Sequence, residues 1–219
     1  MSRGRVVELA RSQYGVFTSG QVAAVGVSRR SLGKLEDRGF LVSSELGFGL
    51  LELADESLVS PHLFPRTWAM WTAWAPDIPV RARLAPSEGV ISHSTALRLY
   101  QIGGDLPGPQ MEIALPDGAG TGQSGIARVR RGQVAADEWN VLYDMPVTTP
   151  ARTLADLAAD GPVDVTDLVR IAQRMVDAQL TTRRELVAVF ERRADLLARG
   201  HASGGELVDS LLAASIAAV

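Results

Sequence analysis

The residues best placed to do chemistry are Arg29, Arg30 and Lys34, with the hydroxyls of Ser28 and Ser31 beside them, in the run Val27-Ser28-Arg29-Arg30-Ser31-Leu32-Gly33-Lys34-Leu35. Cations interleaved with small hydroxyls suit ionic contact with phosphates and hydrogen bonding to the acceptor-rich edges of bases. On a helix Arg30, Gly33 and Lys34 share one outward face, while Leu32 and Leu35 turn the other way, toward the apolar Val25 and Val27. The outward face is therefore small and cationic where it begins. Asp37 lies two turns further along it, where a phosphate would repel it, so contact is confined to the first turn and a half. Arg3 and Arg5, near the amino end, are further cations for the same contact.

Other constellations are weaker. Lys34 is the only lysine in the chain, so a phosphate-cradling GxxxxGK[ST] loop is absent, and the glycine-rich stretch from Gly118 to Gly125 lacks both the lysine and the strand-to-helix context. A nuclease that sets two acids and a lysine around a metal has no lysine after residue 58. His62, His93 and His201 are far apart in sequence, with no HExxH spacing. Cysteine is absent, which removes disulfides, thiolate metal sites and thiol nucleophiles. Ser92-His93-Ser94 invites a nucleophile-and-base reading, but a serine N-cap followed by a histidine at a helix start explains it better. Arg152 and Asp156, four apart on a helix, read as an internal ion pair. No enzymatic role and no cofactor are expected.

The elements that must position Arg29, Arg30 and Lys34 are legible. Arg5 to Gln13 has apolar residues at helical spacing, Tyr14-Gly15 is a break, and Val16-Phe17 is a short extended piece. Thr18 with Gln21 three residues on is a capping-box start, Gly26 ends that short helix, and Ser28 caps the next. Arg38-Gly39 stops it. Phe40-Leu41-Val42 and Gly49-Leu50-Leu51-Glu52-Leu53 flank Ser43 to Phe48 as a hairpin. Three helices and a terminal hairpin make a winged helix-turn-helix, whose second motif helix enters a DNA major groove N-terminus first.

Beyond it, Ala54 to Pro61 is short, acidic and polar, placing a boundary near residue 58. The expected domains are 1–58, the winged helix-turn-helix, and 59–219, an α/β domain with a small sheet and several helices, giving an α+β chain. Trp68, Met70, Trp71 and Trp74 within Pro65–Trp74 read as a core helix. Ser92 caps a helix through Tyr100. Met111 to Leu115, Ile126 to Arg130 and Asn140 to Val147 read as extended segments. Thr149 caps a helix with Pro150 at its first position and Leu154 and Leu157 inward. Helices follow over Thr166 to Ala178, from the capping box Thr182/Glu185 to Arg199, and over Glu206 to Ala218, the last preceded by a flexible joint at His201 to Gly205. Leu207, Val208, Leu211, Leu212 and Ile216 make that last helix too apolar to lie free in water, so it packs on its own domain or docks a partner.

The same motifs carry a family resemblance. Gly15-Val16-Phe17-Thr18, Val27-Ser28-Arg29-Arg30 and Arg38-Gly39-Phe40-Leu41-Val42 resemble the winged-helix domain of AbiEi-type antitoxins. Ile91 to Leu97 and Met145-Pro146-Val147-Thr148-Thr149-Pro150-Ala151-Arg152-Thr153-Leu154-Ala155-Asp156-Leu157-Ala158 are similar to two signature stretches of that family's second domain. The resemblance implies the antitoxin of a bacterial toxin-antitoxin pair. Its winged helix would bind inverted repeats in double-stranded promoter DNA and repress its own operon, and its second domain would oppose a nucleotidyltransferase-like toxin. One departure stands out: family members often have an arginine-rich wing, whereas Ser43 to Gly49 contains no cation and one carboxylate, Glu45. Affinity then rests on Arg29, Arg30, Lys34, Arg3 and Arg5. Two alternatives stay open, a one-component regulator whose second domain binds a small metabolite and a nuclease-related remnant.

Composition sets outer limits. At 219 residues and 46% hydrophobic, the chain has apolar material for a real core. A net charge of −3 excludes a protein that coats nucleic acid, so any DNA contact is a local patch. No apolar run is long enough for a membrane span and no signal-peptide pattern is present, which leads to the expectation of a cytoplasmic protein without a membrane partner.

Overall fold

The structure, a computed structural model, describes residues 2–102, 111–118, 125–160, 163–192 and 203–213. It opens with α1 (Ser2–Ser12), β1 (Val16–Phe17), α2 (Ser19–Ala24), α3 (Arg29–Asp37), β2 (Leu41–Ser43) and β3 (Leu51–Leu53). The three strands form an antiparallel sheet in the order β1-β3-β2. Val6, Leu9, Phe17, Val22, Leu32 and Leu41 meet in one apolar cluster beneath it, because each helix places its aliphatic residues on a single stripe. This is the expected winged helix-turn-helix order.

Polar side chains inside this unit reach out of it. Thr18 and Gln21 make the reciprocal capping box of α2. The Gln21 amide then donates onward to the Thr72 carbonyl at 3.3 Å and the Ile78 carbonyl at 3.0 Å. Buried Gln13 donates to Gln21 Oε1 at 2.9 Å and accepts from the Val80 N–H at 2.8 Å, and Trp68 Nε1 donates to the Gln13 carbonyl at 2.7 Å. Buried amides must be satisfied, so these bonds fix the winged helix-turn-helix against α4 (Pro65–Trp74) and the segment after it.

The rest is built on a mixed five-stranded sheet of order β6-β5-β4-β8-β7, with β4 at Val90–Ile91, β5 at Glu112–Leu115, β6 at Arg128–Arg131, β7 at Trp139–Leu142 and β8 at Met145–Thr148. Central β4 runs antiparallel to β5 and parallel to β8. Trp68, Met70, Trp71 and Trp74 of α4 are buried against this sheet with Ile91, Ile113 and Val147, so the tryptophan stripe is core. A second cluster joins α5 (His93–Leu99), α6 (Pro150–Asp160), α7 (Val165–Asp177), α8 (Arg183–Glu191) and α9 (Gly204–Ala213). The fold is α+β.

Four local expectations are corrected. Asn140 to Val147 is not one extended segment but spans the hairpin β7–β8, turning at Tyr143 and Asp144, both at positive φ (51° and 58°); a two-residue turn without glycine gives a weak sequence signal. Ser92 sits at the N-cap of α5 but its hydroxyl makes no cap bond. Buried Glu112 does that work instead, accepting from the Ser94 N–H at 3.1 Å and the Ser94 hydroxyl at 2.6 Å, as a carboxylate suits the positive end of a helix. The helix from Thr182 ends at Glu191 rather than Arg199; residues 193–202, His201 among them, lie outside the described residues. Gly204 and Gly205 are not part of a loose joint: they open α9, donating to Glu191 Oε1 at 2.8 and 3.4 Å. A Cβ on Gly204 would stand 2.7 Å from the Glu191 backbone nitrogen, so glycine permits a close approach of α9 to α8. Val208 and Leu211 are buried there, which places this helix on its own domain; Ile216 and most of the loop from Gly118 to Gly125 fall outside the described residues.

Candidate nucleic-acid interface

Ser28 adopts an extended conformation and accepts from the Ser31 N–H at 3.3 Å, starting α3. Its hydroxyl also donates to Ser31 Oγ at 3.1 Å. The Ser28 hydroxyl therefore caps the helix, and the Ser31 hydroxyl is bonded to it. At the other end Gly39, at φ +65°, turns the chain away while the Phe40 N–H returns to the Leu35 carbonyl at 2.9 Å, the left-handed stop that glycine favours. Leu32 and Leu35 are buried and fix the rotation of α3, which leaves Arg29, Arg30 and Lys34 exposed.

None of those three cations has a hydrogen-bond or ion-pair partner among the described residues. Arg38, read from the sequence only as a stop signal, is exposed and unpaired in the same way. Gly33 lies between Arg30 and Lys34 with open space around it: a Cβ there would meet nothing within 4 Å. Nothing in the fold demands a glycine at this helix-interior position, where it is unfavourable.

The amino-terminal arginines are placed differently. Arg5 Nη1 donates to the Gly26 carbonyl at 3.1 Å and to the Val25 carbonyl at 3.4 Å, holding the turn between α2 and α3. Arg3 stacks over the Phe40 ring at 4.3 Å, beside the end of α3. Both guanidinium groups brace the motif's frame while their residues stay exposed.

The wing explains its own lack of cations. Leu46 and Phe48 at its tip are half-buried and pack on the cluster that holds Trp68, and Leu50 is buried in that cluster. The hairpin tip thus lies against the body of the protein, with only Glu45 as a charged and exposed member of Ser43 to Gly49.

Elsewhere the chemistry-bearing residues are internally committed. Ser92 Oγ and His93 Nδ1 are 2.8 Å apart and buried. Arg152 Nε donates to Asp156 at 2.8 Å, and its Nη1 bonds Glu138. Arg83 is fully buried, donating to the Trp71 carbonyl at 2.7 Å and stacking 4.9 Å from the Trp71 ring; burial pulls its pKa down to about 10. Among the described residues no group of three or more His, Cys, Asp or Glu could hold a metal ion.

Residues 5–42 match the family model described as a transcriptional regulator, AbiEi antitoxin. The match falls on the N-terminal unit and takes in the motifs from Gly15 to Val42. No curated protein matches the chain. Among solved structures, the crystal structure of the RV2827C protein from Mycobacterium tuberculosis is similar with a TM-score of 0.49 and 20% identity, covering 97% of this chain and 80% of that one. No helix among the described residues is long and apolar enough to cross a membrane.

Proposed function

We propose that this chain is a cytoplasmic antitoxin and transcription regulator that reads promoter DNA through α3 and represses the operon encoding it. The carrying observation is the outward face of α3, where Arg29, Arg30 and Lys34 stand exposed and unpaired around an uncrowded Gly33. In this reading Arg30 meets base edges in the major groove, Lys34 and Arg29 neutralise phosphates, and Ser28 and Ser31 orient the first turn. Arg3 and Arg5 add positive potential from the frame. Reading falls to residues 1–58, and opposition to a nucleotidyltransferase-like toxin falls to 59–219; the family matched by residues 5–42 supports the antitoxin role. No reaction is assigned to the chain.

Two experiments test the two halves of the proposal. Band shifts on the DNA upstream of the gene, against a scrambled duplex, test the reading; equal affinity for both would remove the operator. Co-expression with a neighbouring toxin gene tests the rest: the full chain and residues 59–219 are expected to restore growth, and rescue by residues 1–58 alone would refute the division.

A further inference from the structure

A cleft of about 280 Å³ opens beneath the wing, between the winged helix and the start of α4. Leu46, Glu52 and Leu53 come from the wing hairpin, Tyr14 from the turn before β1, and His62 and Trp68 from the far side of the seam. The volume suits a one-ring small molecule.

Its charge is one-sided. Glu52 and Glu56 both line it, and no arginine or lysine does. Neither carboxylate has a hydrogen-bond or ion-pair partner among the described residues, although Glu52 is half-buried on the central strand β3. Elsewhere in the molecule buried carboxylates are matched: Glu112 takes Arg130 and Ser94, and Glu138 takes Arg152. Partial withdrawal of a carboxylate from water without a partner is unfavourable, so half-buried Glu52 would gain from a cation in the cleft.

The aromatic lining is held in place. The Phe64 N–H donates to His62 Nδ1 at 2.9 Å, so the hydrogen sits on Nε2, which faces the Tyr143 carbonyl at 3.1 Å. That ring stacks on Trp68, centroids 4.7 Å apart and 17° from parallel. Tyr14 is tied through its hydroxyl to Asp144. Aromatic faces beside unpaired carboxylates favour an ammonium group on an apolar body.

We propose that this cleft binds a small lipophilic amine, its ammonium group on Glu52 and Glu56 and its apolar body against Tyr14, Leu46 and Trp68. The site stands independently of DNA reading by α3, so its failure would leave that reading intact. The test uses the full chain with phenethylamine and phenylacetate, which share a ring and differ in charge, followed by ligand-observed NMR and tryptophan emission. Phenethylamine is expected to bind saturably, and phenylacetate about tenfold more weakly or not at all. Glu52→Gln should weaken the amine by about tenfold, the scale of one lost charge-assisted bond, with unchanged circular dichroism. Glu56→Gln, on an exposed residue, gives the same readout should the first variant misfold, and Glu36→Gln on α3 should change nothing. Equal binding of the two compounds, no saturable amine binding, or full affinity in both folded glutamine variants would overturn the proposal.

Discussion

Arg152, near the buried start of α6, and Arg30, near the exposed start of α3, occupy similar positions on their helices and differ in what surrounds them. Arg152 is enclosed by Glu138 and Asp156, and Arg192 adds a contact to Glu138 at 3.6 Å. Arg30 faces water with no partner among the described residues. A buried guanidinium requires compensation from its own chain, whereas an exposed one leaves its ionic capacity to a ligand. In a protein with a net charge of −3, that difference distinguishes structural arginines from those available to a ligand.

Breaking the buried side of the comparison should have the largest effect. Arg152→Ala removes the guanidinium that both buried Glu138 and Asp156 contact and leaves Glu138 only the longer contact to Arg192, so a loss of about 3 kcal/mol in urea unfolding is expected. A loss within about 0.5 kcal/mol, the range of surface substitutions, would show that the pair is incidental. On α3, Lys34→Ala is expected to leave the urea midpoint unchanged while weakening operator and scrambled DNA alike and lowering the salt slope by about one. A selective loss on the operator alone would move Lys34 from phosphate to base contact.

Gly33→Ala sharpens the comparison, since fold and ligand should respond with opposite signs. Removing a glycine from a helix interior with open space around it should stabilise the protein by about 0.5 to 1 kcal/mol, and the added methyl group should weaken DNA binding. Stabilisation with unchanged DNA affinity would show that nothing approaches this point closely. The smallest effect is expected at the wing: Glu45→Ala should shift operator binding by less than about twofold, since the tip packs on the body. A large gain in affinity would place the wing against phosphate.

The winged helix was legible because its signals are local. Thr18 with Gln21, Ser28, and Gly39 each specify an end of a helix within a few residues, and the structure has them in those roles. The Arg152–Asp156 pair was legible for the same reason, being four residues apart on one helix. What escaped depends on contacts distant in sequence. Glu112 caps α5 from 18 residues away, Gln21 reaches Thr72 over 51, and the wing tip packs on the core cluster that includes α4. The two-residue strand β4 is too short for any periodicity to show. Charge alone groups Arg5 with the exposed cations of α3; its bonds to Val25 and Gly26 arise from folding α1 across the α2–α3 turn.

The central claim is that α3 reads DNA with its unpaired outward face, and Arg30→Ala tests it most directly. Fluorescence anisotropy titrations of the wild type and this variant, on the upstream DNA and on a scrambled duplex at two salt concentrations, separate base contact from phosphate contact. A bidentate base contact predicts a loss of about 10- to 100-fold on the upstream DNA, a much smaller loss on the scrambled duplex, and an unchanged urea midpoint. Full operator affinity in a folded Arg30→Ala protein would contradict the account.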